Sequence, residues 1–315
     1  MNIQILKINH SIATSAKVNL YVARADQIHP LASGNKYYKL KPNLAYAKEN
    51  NIKCLLSFGG AFSNHIHALA LTAEAEGFQS VGIIRGESAY AVNPTLSIAK
   101  QAGMKLEFVS REAYRKRNDP SYLKALEKRY PDCLIIPEGG SSQLAISGCK
   151  ALAEEINLAN NSAQFDYLLC ASGTGATAAG LACGTEEDQR VIAYSVLRDE
   201  SLGDRVAAFI KKETSDSKSL KIEQADFGGY AKFDKKLLDF VFDWYQQTGI
   251  LLDPIYTSKL CMRLLEQLAA GEFKQGSNIC IVHTGGLQGW LGMQRQALKV
   301  AGEPEWLQLE KLLLR

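Results

Sequence analysis

The chain lacks any apolar stretch approaching the roughly 18 residues that a membrane-spanning helix needs. Its opening, Met-Asn-Ile-Gln-Ile-Leu-Lys, lacks the basic region, apolar segment and small-residue cleavage site of a secretory leader. A cytoplasmic protein with no membrane partner is the expectation. A basic block is missing too: 36 Lys and Arg stand against 33 Asp and Glu, spread along the chain for a formal net charge of +3. There is thus no electrostatic footprint for nucleic acid or an anionic membrane, and a small anionic ligand would have to be held by local groups. The seven cysteines, at 54, 133, 149, 170, 183, 261 and 280, include no Cys-x-x-Cys pair, and several fall in strand-like runs such as Cys133-Leu-Ile-Ile. That pattern argues against metal or disulfide use and predicts buried, reduced thiols. No repeat at periods of about 20 to 50 residues and no low-complexity segment occurs; the short polar patch from Thr214 to Ser219 reads as a surface loop.

What is present is the composition of a globular protein, 315 residues with 46% apolar and 22% charged side chains, long enough for two domains or one large one. After an opening strand around Lys17 to Ala23, β-branched and Leu-rich runs recur near 53–58, 80–84, 105–109, 133–136, 166–171, 190–196, 219–226 and 278–283, with helix-like stretches between them. The alternation predicts an α/β protein with a mainly parallel sheet. Helix starts are marked by Ser63, by Asn93-Pro94 and by Asp119-Pro120. A boundary between domains is not readable from composition.

Three Gly-rich turns each follow a strand-like run and open a helix-like one, which aims backbone N–H groups into a crevice. They are Gly59-Gly60-Ala-Phe-Ser-Asn-His65, Ser172-Gly-Thr-Gly-Ala-Thr-Ala-Ala-Gly180 and His283-Thr-Gly-Gly286. In the second, Gly173, Thr174, Gly175, Ala176 and Thr177 offer consecutive amides and two hydroxyls, a cradle for a monophosphate; such turns also exist merely to pack. No Gly-Lys-Ser/Thr follows, so it is not a Walker loop, and its glycine spacing departs from the dinucleotide fingerprint.

In Ser33-Gly-Asn-Lys-Tyr-Tyr-Lys-Leu40, Lys36 and Lys39 lie three apart at a helix start and share a face. Most lysines are solvated surface groups, but the flanking Tyr37, Tyr38 and Leu40 suggest packing. A buried amine near a second cation loses proton affinity and becomes a nucleophile toward an aldehyde, so Lys36 is the candidate amine and Lys39 a counter-ion to phosphate. His65 and His67 are two apart, about 200° around a helix, and cannot share one metal ion. That leaves His65 at the edge of a site, while His283 is as readily a core histidine as a site group.

These runs, together with Leu252-Asp-Pro-Ile-Tyr-Thr-Ser-Lys259, occur collinearly from about residue 20 to 290, and in that order the chain resembles the 1-aminocyclopropane-1-carboxylate deaminase and D-cysteine desulfhydrase family. The resemblance implies a two-domain tryptophan synthase β-like fold, pyridoxal phosphate fold type II. Residues 1–41 and 148–315 would form a large cofactor domain, and residues 42–147 a smaller one inserted in it. It implies pyridoxal 5′-phosphate as cofactor, joined to Lys36 as an imine, with Lys39 and the loop from Gly173 to Thr177 on its phosphate. Asn64 would lie beside the cofactor's phenolic oxygen and Ser63 near the substrate carboxylate. Tyr230 and Tyr256 match tyrosines that line the family's site. It also implies a homodimer.

Within the family, ring-opening deaminases carry an acidic residue after the Asp-Pro-x-Tyr tyrosine and a Leu after the late His. Here Thr257 and Thr284 stand in those places, as in desulfhydrase-like members. A threonine hydroxyl can leave the cofactor's ring nitrogen neutral, a weaker electron sink that suffices when a good leaving group departs from Cβ. The expected activity is therefore β-elimination from a small amino acid, D-cysteine or a relative, to pyruvate, ammonia and sulfide. Ring-opening deamination and non-catalytic ligand binding on the same scaffold are the alternatives. The chain departs from the family at Arg24-Ala25-Asp26 and at Tyr37-Tyr38-Lys39, so its substrate preference can differ from both named activities.

Overall fold

A computed structural model describes residues 3–32, 34–159, 164–215, 218–229, 232 and 234–313. The strands are β1 (Ile5–Ile8), β2 (Asn19–Ala23), β3 (Cys54–Gly60), β4 (Gln79–Arg85), β5 (Lys105–Val109), β6 (Cys133–Ile136), β7 (Tyr167–Ser172), β8 (Arg190–Ser195), β9 (Leu220–Gln224) and β10 (Asn278–Val282). The α-helices are α1 (Ser11–Ser15), α2 (Asn35–Glu49), α3 (Asn64–Ala75), α4 (Pro94–Gln101), α5 (Arg111–Arg115), α6 (Pro120–Arg129), α7 (Gln143–Ala159), α8 (Ala176–Cys183), α9 (Leu202–Glu213), α10 (Lys235–Thr248), α11 (Thr257–Ala269), α12 (Gly289–Ala301) and α13 (Glu303–Leu313).

The strands form a six-stranded sheet in the order β1-β2-β10-β7-β8-β9 and a four-stranded sheet in the order β5-β4-β3-β6. Every pairing is parallel except β1 with β2. The apolar runs at 53–58 and 278–283 are central strands buried on both faces, which is why they show no alternation. The strand that composition does not announce is β1: four residues, Ile-Leu-Lys-Ile, half-buried on an edge. Ser63, Asn93 and Asp119 cap α3, α4 and α6, each side chain accepting from a free backbone N–H of the first turn.

Helices α2 and α7 pack against each other, and the fit has a local cause. Pro42 has no N–H to donate to the Tyr38 carbonyl one turn earlier in α2. Gly148 of α7 sits against that carbonyl, where a Cβ would stand 1.9 Å from the oxygen.

The cysteine expectation needs one correction. Cys54 and Cys133 are register partners on neighbouring strands β3 and β6, with Cα atoms 4.2 Å apart, and they form a disulfide. Seventy-nine positions separate them in sequence, so no local spacing could reveal the pair. The other five cysteines are free and buried, as predicted.

Candidate active site

A cavity of about 250 Å³ opens where the carboxyl ends of strands from both sheets face the start of α2. Parallel strands direct their following loops to one end, so residues far apart in sequence converge there. Gly60 ends β3, Arg85 ends β4, and Glu138-Gly139 follow β6. Ser172 ends β7 and leads into Gly173-Thr174-Gly175, Leu197 follows β8, and Thr284-Gly285 follow β10.

The chemistry centres on α2. Gly34 caps it at φ 66°, and a side chain there would stand 1.9 Å from the Thr284 carbonyl oxygen, so only glycine lets this helix start reach the turn after β10. Lys36 Nζ donates to Asn35 Oδ1 at 3.0 Å, and Asn35 Nδ2 donates to Thr177 Oγ1 at 2.8 Å. Burial, reinforced by the charge of Lys39, pulls the Lys36 amine down from 10.5 to about 7. A large fraction of Lys36 is therefore neutral, and nucleophilic, at neutral pH. Lys39, lowered by its own burial, donates to the Gly139 carbonyl at 3.1 Å.

The loop after β7 has the geometry of an anion cradle. Gly175, at φ 94°, precedes α8, and no side chain caps the helix's first amides. Ser172 Oγ is buried without a hydrogen-bond partner among the described residues. It lines the cavity with Gly173, Thr174 and Thr177. Ser141 donates to Thr174 Oγ1 at 2.5 Å, tying the cradle to the segment after β6. An amine free to attack an aldehyde, beside unsatisfied donors suited to a phosphate, fits a group carrying both functions.

Ser63 and Asn64 line the same cavity from the start of α3. Asn64 Oδ1 accepts from Gln288 Nε2 at 3.0 Å, which joins this loop to the segment after β10. His65 is buried beside it. Ser57 Oγ donates to the Ile136 carbonyl at 2.8 Å, so the 2.8 Å contact between Ser57 and His65 Nε2 assigns the ring proton to Nε2. Burial and the two lysines hold His65 well below its usual range, hence neutral, with a bare and unpartnered Nδ1.

Tyr256 lines the cavity next to Gly173, whose missing side chain would meet the tyrosine ring at 3.5 Å. Asp253 sets the turn: its carboxylate accepts from the amides of Ile255, Tyr256 and Thr257 and from the Thr257 hydroxyl at 2.7 Å. Thr257 is consequently turned toward Asp253 and is not among the lining residues. Ala176 is also buried away from the cavity surface, in the first turn of α8, whereas Thr284 lines it. Tyr230 lies outside the described residues. The segment before it is anchored by buried Lys259, which donates to the carbonyls of Asp226 and Gly229 at 2.7 Å each.

His283 is a scaffold residue. Its ring bonds the Leu251 carbonyl and accepts from the Gly285 amide, holding the turn at the cavity floor. Among the described residues no group of three potential ligands could hold a metal ion.

Lining residues with polar side chains that sequence reasoning did not select are Asn35, Arg85, Arg117 and Glu138. Asn35 and Glu138 were within reach: Asn35 precedes the selected lysine, and Pro137-Glu-Gly-Gly140 is a fourth Gly-rich turn between a strand and a helix. The two arginines carry no local mark.

Comparisons with known proteins agree with this geometry. The bifunctional D-cysteine desulfhydrase/1-aminocyclopropane-1-carboxylate deaminase of Arabidopsis thaliana is 28% identical over 86% of this chain and 73% of its own length. The D-cysteine desulfhydrase of Klebsiella pneumoniae is 27% identical over 84% of this chain and 85% of its own. A crystal structure described as an ACC deaminase homologue superposes with a TM-score of 0.85 at 23% identity, covering 95% of this chain and 94% of that one, which shows the fold. The model of the family described as pyridoxal-phosphate dependent enzyme matches residues 10–285. The chain therefore belongs to the pyridoxal-phosphate dependent enzymes, with a type II fold and pyridoxal 5′-phosphate as its cofactor.

Proposed function

We propose that this chain is a lyase that eliminates the β-substituent of a small amino acid, D-cysteine or a close relative, giving pyruvate, ammonia and sulfide. The observation that carries the proposal is the Lys36 amine, brought to about 7 between the anion cradle and the Ser63 loop. Pyridoxal phosphate, when bound, supplies an aldehyde that captures an amine and a ring that withdraws electrons from Cα. Lys36 would hold it, with the loop from Gly173 to Thr177 and Lys39 available to its phosphate and Asn64 to its phenolic oxygen. Ser63, whose oxygen already accepts from the Ile66 amide, keeps its proton to donate to the substrate carboxylate. Lys36, once freed, takes the Cα proton; the electron pair left behind forms the Cα=Cβ bond as thiolate leaves Cβ. Tyr256 and Tyr230 are the candidates to position the substrate or exchange a proton with it.

The only carboxylate lining the cavity among the described residues is Glu138, and both its oxygens are engaged by Tyr114 and Arg117. Thr284 lines the cavity with no carboxylate to charge a ring nitrogen, which suits elimination of a good leaving group better than ring opening. The named activities of the Arabidopsis and Klebsiella relatives support the same substrate class.

Residues 1–41 with 148–315 form the cofactor domain and 42–147 the inserted one, with α2 and α7 as shared helices, because both boundaries fall inside them. The protein works as a cytoplasmic homodimer; Leu291 and Leu298, exposed on one face of α12, and Leu307 on α13 supply apolar surface for the contact. No described helix is long and apolar enough to cross a membrane.

The test is an absorbance spectrum between about 300 and 500 nm, with and without D-cysteine, beside Lys36→Ala. A visible band that shifts with substrate, is absent in the variant and is accompanied by sulfide and pyruvate release is the expected result. No sulfide or pyruvate from any small D- or L-amino acid would sink the assignment.

A further inference from the structure

The part of the cavity rim built by the four-stranded sheet carries a charge that the proposed reaction does not use. Gly60 and Arg85 are register partners at the carboxyl ends of β3 and β4. The Arg85 guanidinium lies beside Gly60 and the loop leading to Ser63; a Cβ on Gly60 would be in ordinary contact with Nη2, at 3.5 Å. The nearby carboxylate is already spent. Glu138 accepts from the Tyr114 hydroxyl and from Arg117 Nε, each at 2.6 Å. Tyr114, fixed in this way, presents its ring to both guanidinium groups, at 5.6 Å for Arg85 and 5.0 Å for Arg117. Arg117 is thus neutralised, while Arg85 has no carboxylate within ion-pair distance among the described residues. A guanidinium with no carboxylate partner, solvent-exposed at the cavity rim and held against a ring, can take an anion.

We propose that Arg85 recognises negative charge on the substrate's β-substituent, so that the chain prefers β-substituted alanines bearing an anionic group over neutral ones of similar size. The inference rests on the proposed lyase reading for its substrate class. A cation in that place also stabilises charge that builds on the leaving group as its bond to Cβ breaks.

The experiment measures binding and turnover separately in the holoenzyme. Aspartate and asparagine are nearly isosteric and differ in side-chain charge, and neither carries a good leaving group; their dissociation constants come from titrating the cofactor absorbance. Turnover is read with β-chloroalanine. There the Cα proton passes to Lys36, the Cα=Cβ bond forms, chloride leaves with the Cβ–Cl pair, and water hydrolyses the released enamine to pyruvate and ammonium. Aspartate is expected to bind roughly tenfold or more tightly than asparagine. Arg85→Gln should collapse that ratio toward one, and Arg85→Lys should restore part of it. Equal binding of the two ligands by the wild type, or an undiminished ratio in Arg85→Gln, would overturn the proposal whatever the turnover. If the binding ratio behaves as expected but no pyruvate forms, the Arg85 assignment stands and the β-elimination reading falls.

Discussion

Lys36 owes its reactivity to neighbours that raise the cost of its positive charge: the protein interior first, then the ammonium of Lys39. Two consequences follow. Cofactor capture needs the neutral amine, so the rate of reconstitution from apoprotein should climb with pH and level off above about 7, and Lys36→Ala should capture nothing covalently; stopped-flow absorbance reads both. The same shift links to stability. Between about 7, where the folded amine titrates, and its ordinary 10.5, the unfolded chain binds the proton that the folded chain has lost. Stability of the apoprotein should therefore rise with pH across that window, while below it both states are protonated and the full penalty remains. Urea midpoints of wild type minus Lys36→Met, measured from pH 6 to 10, should show this rise, and a flat difference would contradict it.

At the scale of elements, the site depends on helices approaching other backbone more closely than a side chain allows. Gly34→Ala would drive a methyl into the Thr284 carbonyl and strain a positive φ, detaching the start of α2 from the turn after β10. A loss of about 3 kcal/mol or more is expected, with cofactor affinity falling alongside. Gly148→Ala tests the distant packing of the same helix, where a methyl would meet the Tyr38 carbonyl. It should cost stability comparably by thermal denaturation, yet leave the absorbance of whatever holoenzyme survives unshifted. A spectrum altered as much as in Gly34→Ala would show that the two contacts are not separable.

For the whole molecule, two mainly parallel sheets meet at the carboxyl ends of their parallel strands, and the cavity exists only while both hold their places. The Cys54–Cys133 bond ties β3 to β6, the strands that deliver Gly60 and Glu138 to the rim. It closes a loop of 79 positions, for which chain-entropy arguments give about 4.5 kcal/mol of stabilisation. Cys54→Ala/Cys133→Ala should lower the denaturation midpoint by a matching amount, and alkylation with mass spectrometry should count five free thiols in the unreduced wild type. Seven free thiols would remove the bond from the account.

Much of this protein was legible in the order of its residues, because the signals involved act over a few positions. Apolar runs marked the central strands, short polar side chains marked the capped helices, and glycines after strands marked the loops that converge on the cavity. Lys36 and Lys39, one turn apart, announced an amine and its partner charge. Composition left out β1, whose four residues become a strand only against the edge that β2 offers. Sequence could not pair Cys54 with Cys133, turn the Thr257 hydroxyl toward Asp253, or bring Arg85, Tyr114 and Glu138 to one rim. Those outcomes depend on strand register and on the order of strands in a sheet. Both are set by burial of whole faces between segments tens of residues apart, and no local pattern encodes them.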